Sequence, residues 1–329
     1  MPPRFSVAMC TYNGARFVAE QLASVAAQTR PPDELVVCDD GSADETRELV
    51  GEFAARAPFP VRLSVNERNL GSTRNFGRAI SLCAGDLIAL SDQDDVWHPE
   101  KLEKLEARFD ARPSVGLVFT DAELVDERLR PTGRRLWESI GFGPRERRLV
   151  RGGRALDVLL PGWSVTGATM AFRADFKDLV LEIPEDLALI HDGWIALMVA
   201  AVSEIDYIAE PLIQYRQHPR QQVGAPPERH RAPRQGLEGV AVAARRVNSY
   251  DELIRVAERA RARLSERRGA AGERRALRRL DARLTHLRAR ANLPEGLLRR
   301  APSVLREFVT LRYHHYSNGT LSAVKDLLA

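Results

Sequence analysis

The first two thirds of this 329-residue chain predict an α/β fold, a mostly parallel sheet with helices on both faces. Three observations carry that expectation. Short apolar runs alternate with segments of helical periodicity from Phe5 to Leu90. That alternation builds parallel sheets, whose ligands bind outside the carboxyl ends of the strands. Three of the runs end in polar motifs, Thr11-Tyr12-Asn13, Asp39-Asp40-Gly41-Ser42 and Asp92-Gln93-Asp94, which therefore fall on one sheet edge. The composition then changes beyond about residue 222, where arginine-rich helical spacing predicts an α-helical C-terminal region over 223–329.

Phe5–Cys10 is the first strand. Ala15–Gln28 follows as a helix, with Phe17, Val18, Leu22 and Val25 at helical spacing. Glu34–Cys38 is the second strand, Asp44–Ala55 a helix, and Val61–Val65 the third strand. A helix over Arg74–Cys83 leads to the fourth strand, Leu87–Leu90. A less regular half runs from Val115 to about Gln222. It holds a strand at Val115–Phe119, an apolar segment at Thr166–Phe172 and a helix opening near Asp192. The strand Ile205–Ile208 then leads to Tyr215-Arg216-Gln217-His218. These elements predict one domain over 1–222, with halves at 1–114 and 115–222. The Pro-rich stretch from Gly224 to Pro233 reads as a linker. Beyond it, Leu253, Val256, Ala260 and Leu264 form one apolar seam, and Leu277, Leu280, Leu284 and Leu287 another. With a turn at Gly269–Gly272 they predict a helical hairpin.

An apolar content of 44% supplies a core, and no run reaches the roughly 18 apolar residues of a membrane span. Cys10, Cys38 and Cys83 lie in or beside apolar runs, without metal-ligand spacing, and read as buried free thiols in a reducing compartment. Together with the absence of a signal-like apolar opening, these features predict a soluble, cytoplasmic protein. Charge is uneven: Pro226–Ala329 carries +12 and the remainder −8. The basic tail has no interleaved aromatics or reader motif, so no nucleic-acid partner is expected. Its clusters Arg274-Arg275 and Arg278-Arg279 are what nucleic acid would use; the basic tail as a whole suits peripheral contact with an anionic membrane, and a solvated face on a packing or homo-oligomerising hairpin is the plainer alternative. The loop after the first strand lacks Gly-x-Gly-x-x-Gly, which argues against a dinucleotide-dependent dehydrogenase.

Asp92, Asp94 and Asp95 crowd three carboxylates into four residues after the fourth strand. Such groups repel, and a divalent cation or ligand donors would relieve the repulsion. The plainer reading is a solvated loop, with Asp95 near the start of the next helix.

Four segments in order, Thr11-Tyr12-Asn13-Gly14, Val37–Asp44, Asn69–Asn75 and Ser91–Trp97, resemble the family-2 inverting glycosyltransferases. The resemblance extends from about Phe5 to His218. The form Ser-Asp-Gln-Asp-Asp-Val-Trp, with Tyr313–Gly319 further on, looks most like the bacterial rhamnosyltransferase branch. The resemblance implies the glycosyltransferase type-A fold, Rossmann-like, with a nucleotide-binding half and an acceptor half. It implies metal-dependent inverting transfer of a sugar, best L-rhamnose from dTDP-L-rhamnose, to a surface polysaccharide or lipid-linked glycan. The donor would be a dTDP- or UDP-sugar and the cofactor Mg²⁺ or Mn²⁺. Thr11, Tyr12 and Asn13 would lie by the nucleotide, and Asp40 would accept from the base imide N–H. Asn69, Gly71, Arg74 and Asn75 would approach the ribose and phosphates. Asp92 would reach the ribose or the metal shell, Asp94 would hold the metal, and Asp95 would be structural. His218 would be a further metal ligand or phosphate contact, a surface histidine being the plainer reading. Asp192, in His191-Asp192-Gly193-Trp194, would be the general base; an N-cap is the plainer reading, and a helix N-terminus favours its ionised form. Thr166, Gly167 and Trp163 could line the acceptor pocket. The rival class is a non-catalytic nucleotide-sugar-binding or membrane-associated scaffold protein.

Overall fold

The computed structural model describes residues 2–160, 165–187, 189–221, 224, 250–266, 271–317 and 319–328. Trp163, most of the predicted linker, and Gly269 and Ala270 of the predicted turn lie outside them. The chain divides into two compact units. The larger comprises Met1–Ala155, Ser164–Glu185 and Ile190–Glu228; the smaller comprises Leu156–Trp163, Asp186–Leu189 and Arg229–Ala329.

The larger unit is built on strands β1 (Phe5–Thr11), β2 (Glu34–Asp39), β3 (Val61–Val65), β4 (Leu87–Ser91), β5 (Val96–Trp97), β6 (Val115–Val125), β7 (Pro131–Arg135), β8 (Met170–Arg173) and β9 (Glu204–Arg216). They form one nine-stranded sheet in the order β3-β2-β1-β4-β8-β6-β9-β5, with β7 paired to β6. β1 to β4 are mutually parallel, β8 is antiparallel to both β4 and β6, and β6 and β9 are parallel. Six strands thus share one direction, opposed by β5, β7 and β8.

Helices α1 (Val18–Ala26), α2 (Thr46–Ala54), α3 (Ser72–Leu82) and α4 (Lys101–Ala111) follow β1, β2, β3 and β5. Alternate strand residues face opposite ways, so Phe5, Val7 and Met9 join Val18, Leu22, Val50, Leu102 and Leu105 in one core. α3 packs against β1 and β2 through the buried Phe76, Ala79 and Ile80, outside that cluster. Apolar burial on both sides of the sheet is why its strands read as nearly continuous apolar runs. The short helices α5 (Leu136–Ile140) and α6 (Pro144–Arg151) follow β7, α7 (Ala155–Leu159) comes next, α8 (Lys177–Val180) follows β8, and α9 (His191–Val202) precedes β9.

Two sequence expectations change. Asp95 is not at a helix start: β5 intervenes and α4 opens at Lys101. β6 and β9 are also longer than their predicted segments, because they pair with each other over most of their length. All three cysteines are buried free thiols. Among the described residues no helix is long and apolar enough to cross a membrane.

The smaller unit is helical: α10 (Tyr250–Ser265), α11 (Ala271–Ala291), α12 (Leu297–Val309), α13 (Arg312–Tyr316) and α14 (Thr320–Leu328). α10 packs on α11 through Ala257, Ala260, Leu264, Ala276, Leu280, Leu284 and Leu287, all buried. Leu277 is only half-buried, so Ala276 takes part of its predicted place in the seam.

Candidate functional site

The carboxyl ends of β1, β2 and β4 lie on one edge, fixed by register: Thr11 pairs with Asp39, and Met9 with Ser91. Each strand there releases its polar motif. Thr11 Oγ1 donates to Asp39 Oδ2 at 2.8 Å, which occupies its hydroxyl within the sheet edge. Tyr12, 48% exposed, is the large side chain this edge leaves open. Its backbone N–H donates to Gln93 Oε1 at 2.8 Å, and its carbonyl accepts from Gln93 Nε2 at 3.1 Å. Gln93 thereby ties the β4 motif to the β1 loop. A Cβ on Gly14 would come within 2.1 Å of Gln93 Oε1, so this clamp requires glycine there. Asn13, at φ +47°, accepts from Ala43 N–H and takes Ser42 Oγ on its own N–H.

Asp40 is buried and accepts from Asn66 Nδ2 at 2.7 Å, Leu70 N at 2.7 Å and Gly71 N at 2.9 Å. Gly71 holds φ +82°, a left-handed value that presents its N–H to Asp40 and caps α3. Asn75 is locked between Asn66 Nδ2 and the Cys38 carbonyl, so its side chain builds the wall. Asn69 accepts from the Gly71 N–H. Arg74 is exposed in the first turn of α3 and pairs with Glu185.

The acidic cluster is less satisfied. Asp95 accepts the Arg216 N–H on Oδ1 at 3.0 Å, while its buried Oδ2 has no partner. Burial and the charges of Asp94 and Asp92 hold its carboxyl well above the usual range. Burial, then the charges of Asp94 and Asp192, push Asp92 up to about 7. Those influences place Asp92, Asp94 and Asp192 in one electrostatic neighbourhood.

Asp94 Oδ2 lies 2.8 Å from His218 Nε2. The Arg220 N–H donates to His218 Nδ1 at 3.2 Å, so the neutral ring carries its proton on Nε2 and donates it to Asp94. Asp94 and His218 Nε2 can together ligate a divalent cation when the ring proton moves to Nδ1, at the expense of the Arg220 hydrogen bond. Among the described residues no group of three His, Cys, Asp or Glu side chains is set to hold a metal alone. The pair fits a cation that takes its other ligands from phosphate and water, as Mg²⁺ commonly does.

Asp192 is the second residue of α9, whose N-cap is Ile190. Its oxygens accept from Gly193 N at 2.6 Å and Gly167 N at 3.1 Å. Burial nevertheless outweighs these donors and pushes its carboxyl up to about 6. The helix terminus therefore does not keep Asp192 strongly acidic; desolvation makes it a stronger base that is still largely ionised at neutral pH. Beside it, His191 stacks on Phe76 at 4.0 Å, and burial drives its pKa down to about 3. His191 is a neutral packing residue.

Three residues at this edge had no role in the sequence reading. Gln93 is the clamp described above. Arg216, 1% exposed, donates through Nε to the Asp94 carbonyl at 2.6 Å and also reaches Glu20 and the Glu127 carbonyl. Lys101 is fully buried, donates to the Ala168 carbonyl at 2.8 Å and stands 3.4 Å from the Trp97 ring. Burial pulls its pKa well down, against the opposing charges of Asp95 and Asp92. A basic residue directly after the run Leu212–Tyr215, closing β9, is the one signal that could have pointed to Arg216; nothing local marks Lys101.

Residues 6–159 match the family described as Glycosyl transferase family 2. The chain is 27% identical over 223 residues to an uncharacterized glycosyltransferase of Nostoc sp., covering 65% of each. It is 31% identical over 121 residues to the Escherichia coli UDP-Glc:alpha-D-GlcNAc-diphosphoundecaprenol beta-1,3-glucosyltransferase WfgD, covering 37% of this chain and 46% of that one. It thus spans less than two thirds of the length of these relatives. S. aureus TarS 1–349 in complex with UDP-GlcNAc superposes with a TM-score of 0.57 at 16% identity, covering 97% of this chain and 90% of that one. The mannosyltransferase PcManGT from Pyrobaculum calidifontis, in complex with GDP-Man and Mn²⁺, gives 0.52 at 19% identity, covering 100% and 79%. At these identities the likeness to solved structures is one of fold, and the fold is the glycosyltransferase type-A fold with an added helical C-terminal region. That family match takes in a little under half of the chain. Over that match, and by fold, the chain is similar to glycosyltransferases.

Proposed function

We propose that this protein catalyses inverting transfer of a sugar from a nucleotide-sugar donor to a hydroxyl of a surface polysaccharide or lipid-linked glycan. Residues 1–222 would be the catalytic domain, with 1–114 binding the nucleotide and 115–222 the acceptor. The observation that carries the reading is Asp192, a buried carboxylate raised to about 6 at a helix start, electrostatically coupled to the β4 acids. A base poised near neutral pH suits removal of a hydroxyl proton.

In the proposed step Asp192 takes the acceptor proton as the acceptor oxygen bonds to the anomeric carbon. The bond from that carbon to the nucleoside diphosphate breaks on the opposite face, and configuration inverts. Asp94 and His218 would hold Mg²⁺ or Mn²⁺, which supplies charge neutralisation at the leaving diphosphate. Asp92 would meet the ribose or the outer shell of that cation. Asp40 offers a remaining acceptor direction beyond its three donors, enough for one imide N–H of uracil or thymine. Tyr12 would lie against the base, beside Thr11 and Asn13, and Gly71, Arg74 and Asn75 would shape the ribose–phosphate wall. dTDP-L-rhamnose is the donor favoured by the form of the Ser91–Trp97 motif, with UDP-sugars next. The location that goes with this reading is cytoplasmic, peripheral on the inner membrane.

A transfer assay across dTDP-, UDP- and GDP-sugars with Mg²⁺ or Mn²⁺ tests the proposal. Asp94→Ala should lose metal-dependent donor binding, whereas Asp192→Ala should bind donor without turnover. Full activity in Asp192→Ala would remove the base assignment. Donor binding by the unaltered protein with no turnover on any acceptor would leave the scaffold reading.

A further inference from the structure

The smaller unit presents apolar side chains on the outward faces of two helices. Val304 and Phe308 of α12 pack with Tyr313, and with Ala323 and Leu327 of α14, in the unit's own apolar cluster. The opposite face of α12 carries Leu298, 85% exposed, Leu305 at 62% and Val309 at 70%. Their spacings of seven and four residues set them on one stripe, which the exposed Pro302 joins. α14 repeats the pattern, with Leu321 at 73%, Val324 at 46% and Leu328 at 66% exposure. Between the helices Leu311 is 53% exposed and held at φ +59°. Exposed apolar stripes of this kind mark an interaction face.

Charge identifies the occupant. From Leu297 to Leu328 the chain has five Lys and Arg residues, Arg299, Arg300, Arg306, Arg312 and Lys325, and two acids, Glu307 and Asp326. Both acids are turned inward. Glu307 is 1% exposed and held by His286 and Arg312; Asp326 is 6% exposed and held by Arg290 and the Tyr313 hydroxyl. The exposed charge of this segment is therefore basic, with Arg299 and Arg306 beside the α12 stripe.

We propose that α12 and α14 form a membrane-docking surface that lies in the plane of an anionic phospholipid leaflet. The leucines enter the acyl boundary, and the arginines meet headgroup phosphates. A second copy of the chain fits less well, because a two-fold contact would set the same arginines against one another with no exposed acid in the segment. The sequence reading assigns lipid attraction to the basic tail as a whole, and α11 is its most arginine-rich helix. In that helix Leu280, Leu284 and Leu287 are buried, and Arg279 pairs with Asp157 at 3.5 Å. α11 thus offers charge without an apolar stripe. The inference concerns attachment and stands independently of the catalytic assignment.

Co-sedimentation of the full chain with phosphatidylcholine vesicles, with and without phosphatidylglycerol, tests it. Binding should require phosphatidylglycerol and weaken with salt. Leu298→Ser/Leu305→Ser should lower it by at least about tenfold, since each leucine loses its acyl burial, while transfer to a soluble acceptor is retained. Arg299→Glu/Arg306→Glu should weaken binding to anionic vesicles alone. Equal binding by the leucine double variant, or no binding by the unaltered chain, overturns the proposal. So does a lipid-free dimer in sedimentation velocity that Leu298→Ser/Leu305→Ser dissolves, because the face is then a self-interface.

Discussion

The two units bury ionisable groups in opposite ways. In the smaller unit they come in pairs of opposite character. Arg290 donates to both oxygens of Asp326 at 2.6 and 2.9 Å, Tyr313 adds a third hydrogen bond, and His286 bridges Glu307 and Ser317 at 2.9 Å each. Arg283, whose Nε is buried without a partner, is the exception. In the larger unit, at the β4 edge, like charges gather instead. Asp92, Asp95 and Asp192 are all raised by burial, and buried Lys101 supplies opposing charge to the first two. Removing a carboxylate from water without a full set of donors costs stability. The paired network serves the fold it sits in. The unbalanced one detracts from its fold, as ligand sites commonly do.

The largest effect should come from breaking the unbalanced side. Asp192→Asn keeps shape and removes the base, so kcat should fall by about 10³-fold, within the range for a positioned general base, with donor affinity unchanged. The pH profile sharpens the same point. Asp192 acts ionised, and its carboxyl is raised to about 6, so kcat/KM should fall about tenfold per unit below that pH and level off above it. An Asp192→Asn variant with the same acid limb would transfer that limb to another group.

The paired side should fail by unfolding. Arg290→Met leaves Asp326 buried without its cation, a loss of about 3–5 kcal/mol for breaking one half of a buried pair. Urea unfolding read on the helical unit checks it, and an unchanged midpoint would contradict the pairing. His286 gives a smaller, reversible version. Burial, only partly opposed by Glu307, lowers its pKa from 6.5 to about 4. The folded state therefore holds the neutral ring while the unfolded chain takes up a proton. The contribution is whole above pH 6.5 and is lost as pH falls towards about 4, amounting to about 2 kcal/mol by pH 5. His286→Gln should flatten that part of the stability–pH curve.

The parallel pairing of β1 to β4 and the edge that collects the motifs were legible because both follow from local alternation and strand direction. The helical seams were legible for the same reason: Leu280, Leu284 and Leu287 repeat at helical spacing and are buried as expected. What escaped is set by distant partners. β5 is two residues long and exists through its pairing with β9, so Asp95 looked like a helix start. Arg216 reaches the Asp94 carbonyl across 122 positions, and Lys101 reaches the Ala168 carbonyl across 67. A buried charge announces neither its burial nor its partner in its own sequence neighbourhood. The raised carboxyl of Asp192 was missed for that reason: a helix N-terminus is visible in sequence, and desolvation is not.

Arg74 marks the boundary between the two kinds of charge and should give the smallest response. It lies on α3 with nearly half its side chain exposed and pairs with an equally exposed Glu185. An exposed pair of this kind contributes little to stability, so Arg74→Ala should leave thermal stability almost unchanged. If Arg74 also meets the donor phosphates, the donor KM should rise several-fold with kcat preserved, and the rise should shrink in high salt as screening weakens the contact. A variant unchanged in both KM and stability would make Arg74 a solvated residue of the first helical turn. The donor wall would then rest on Asp40, Gly71 and Asn75, of which Asp40 keeps one acceptor direction beyond its three donors.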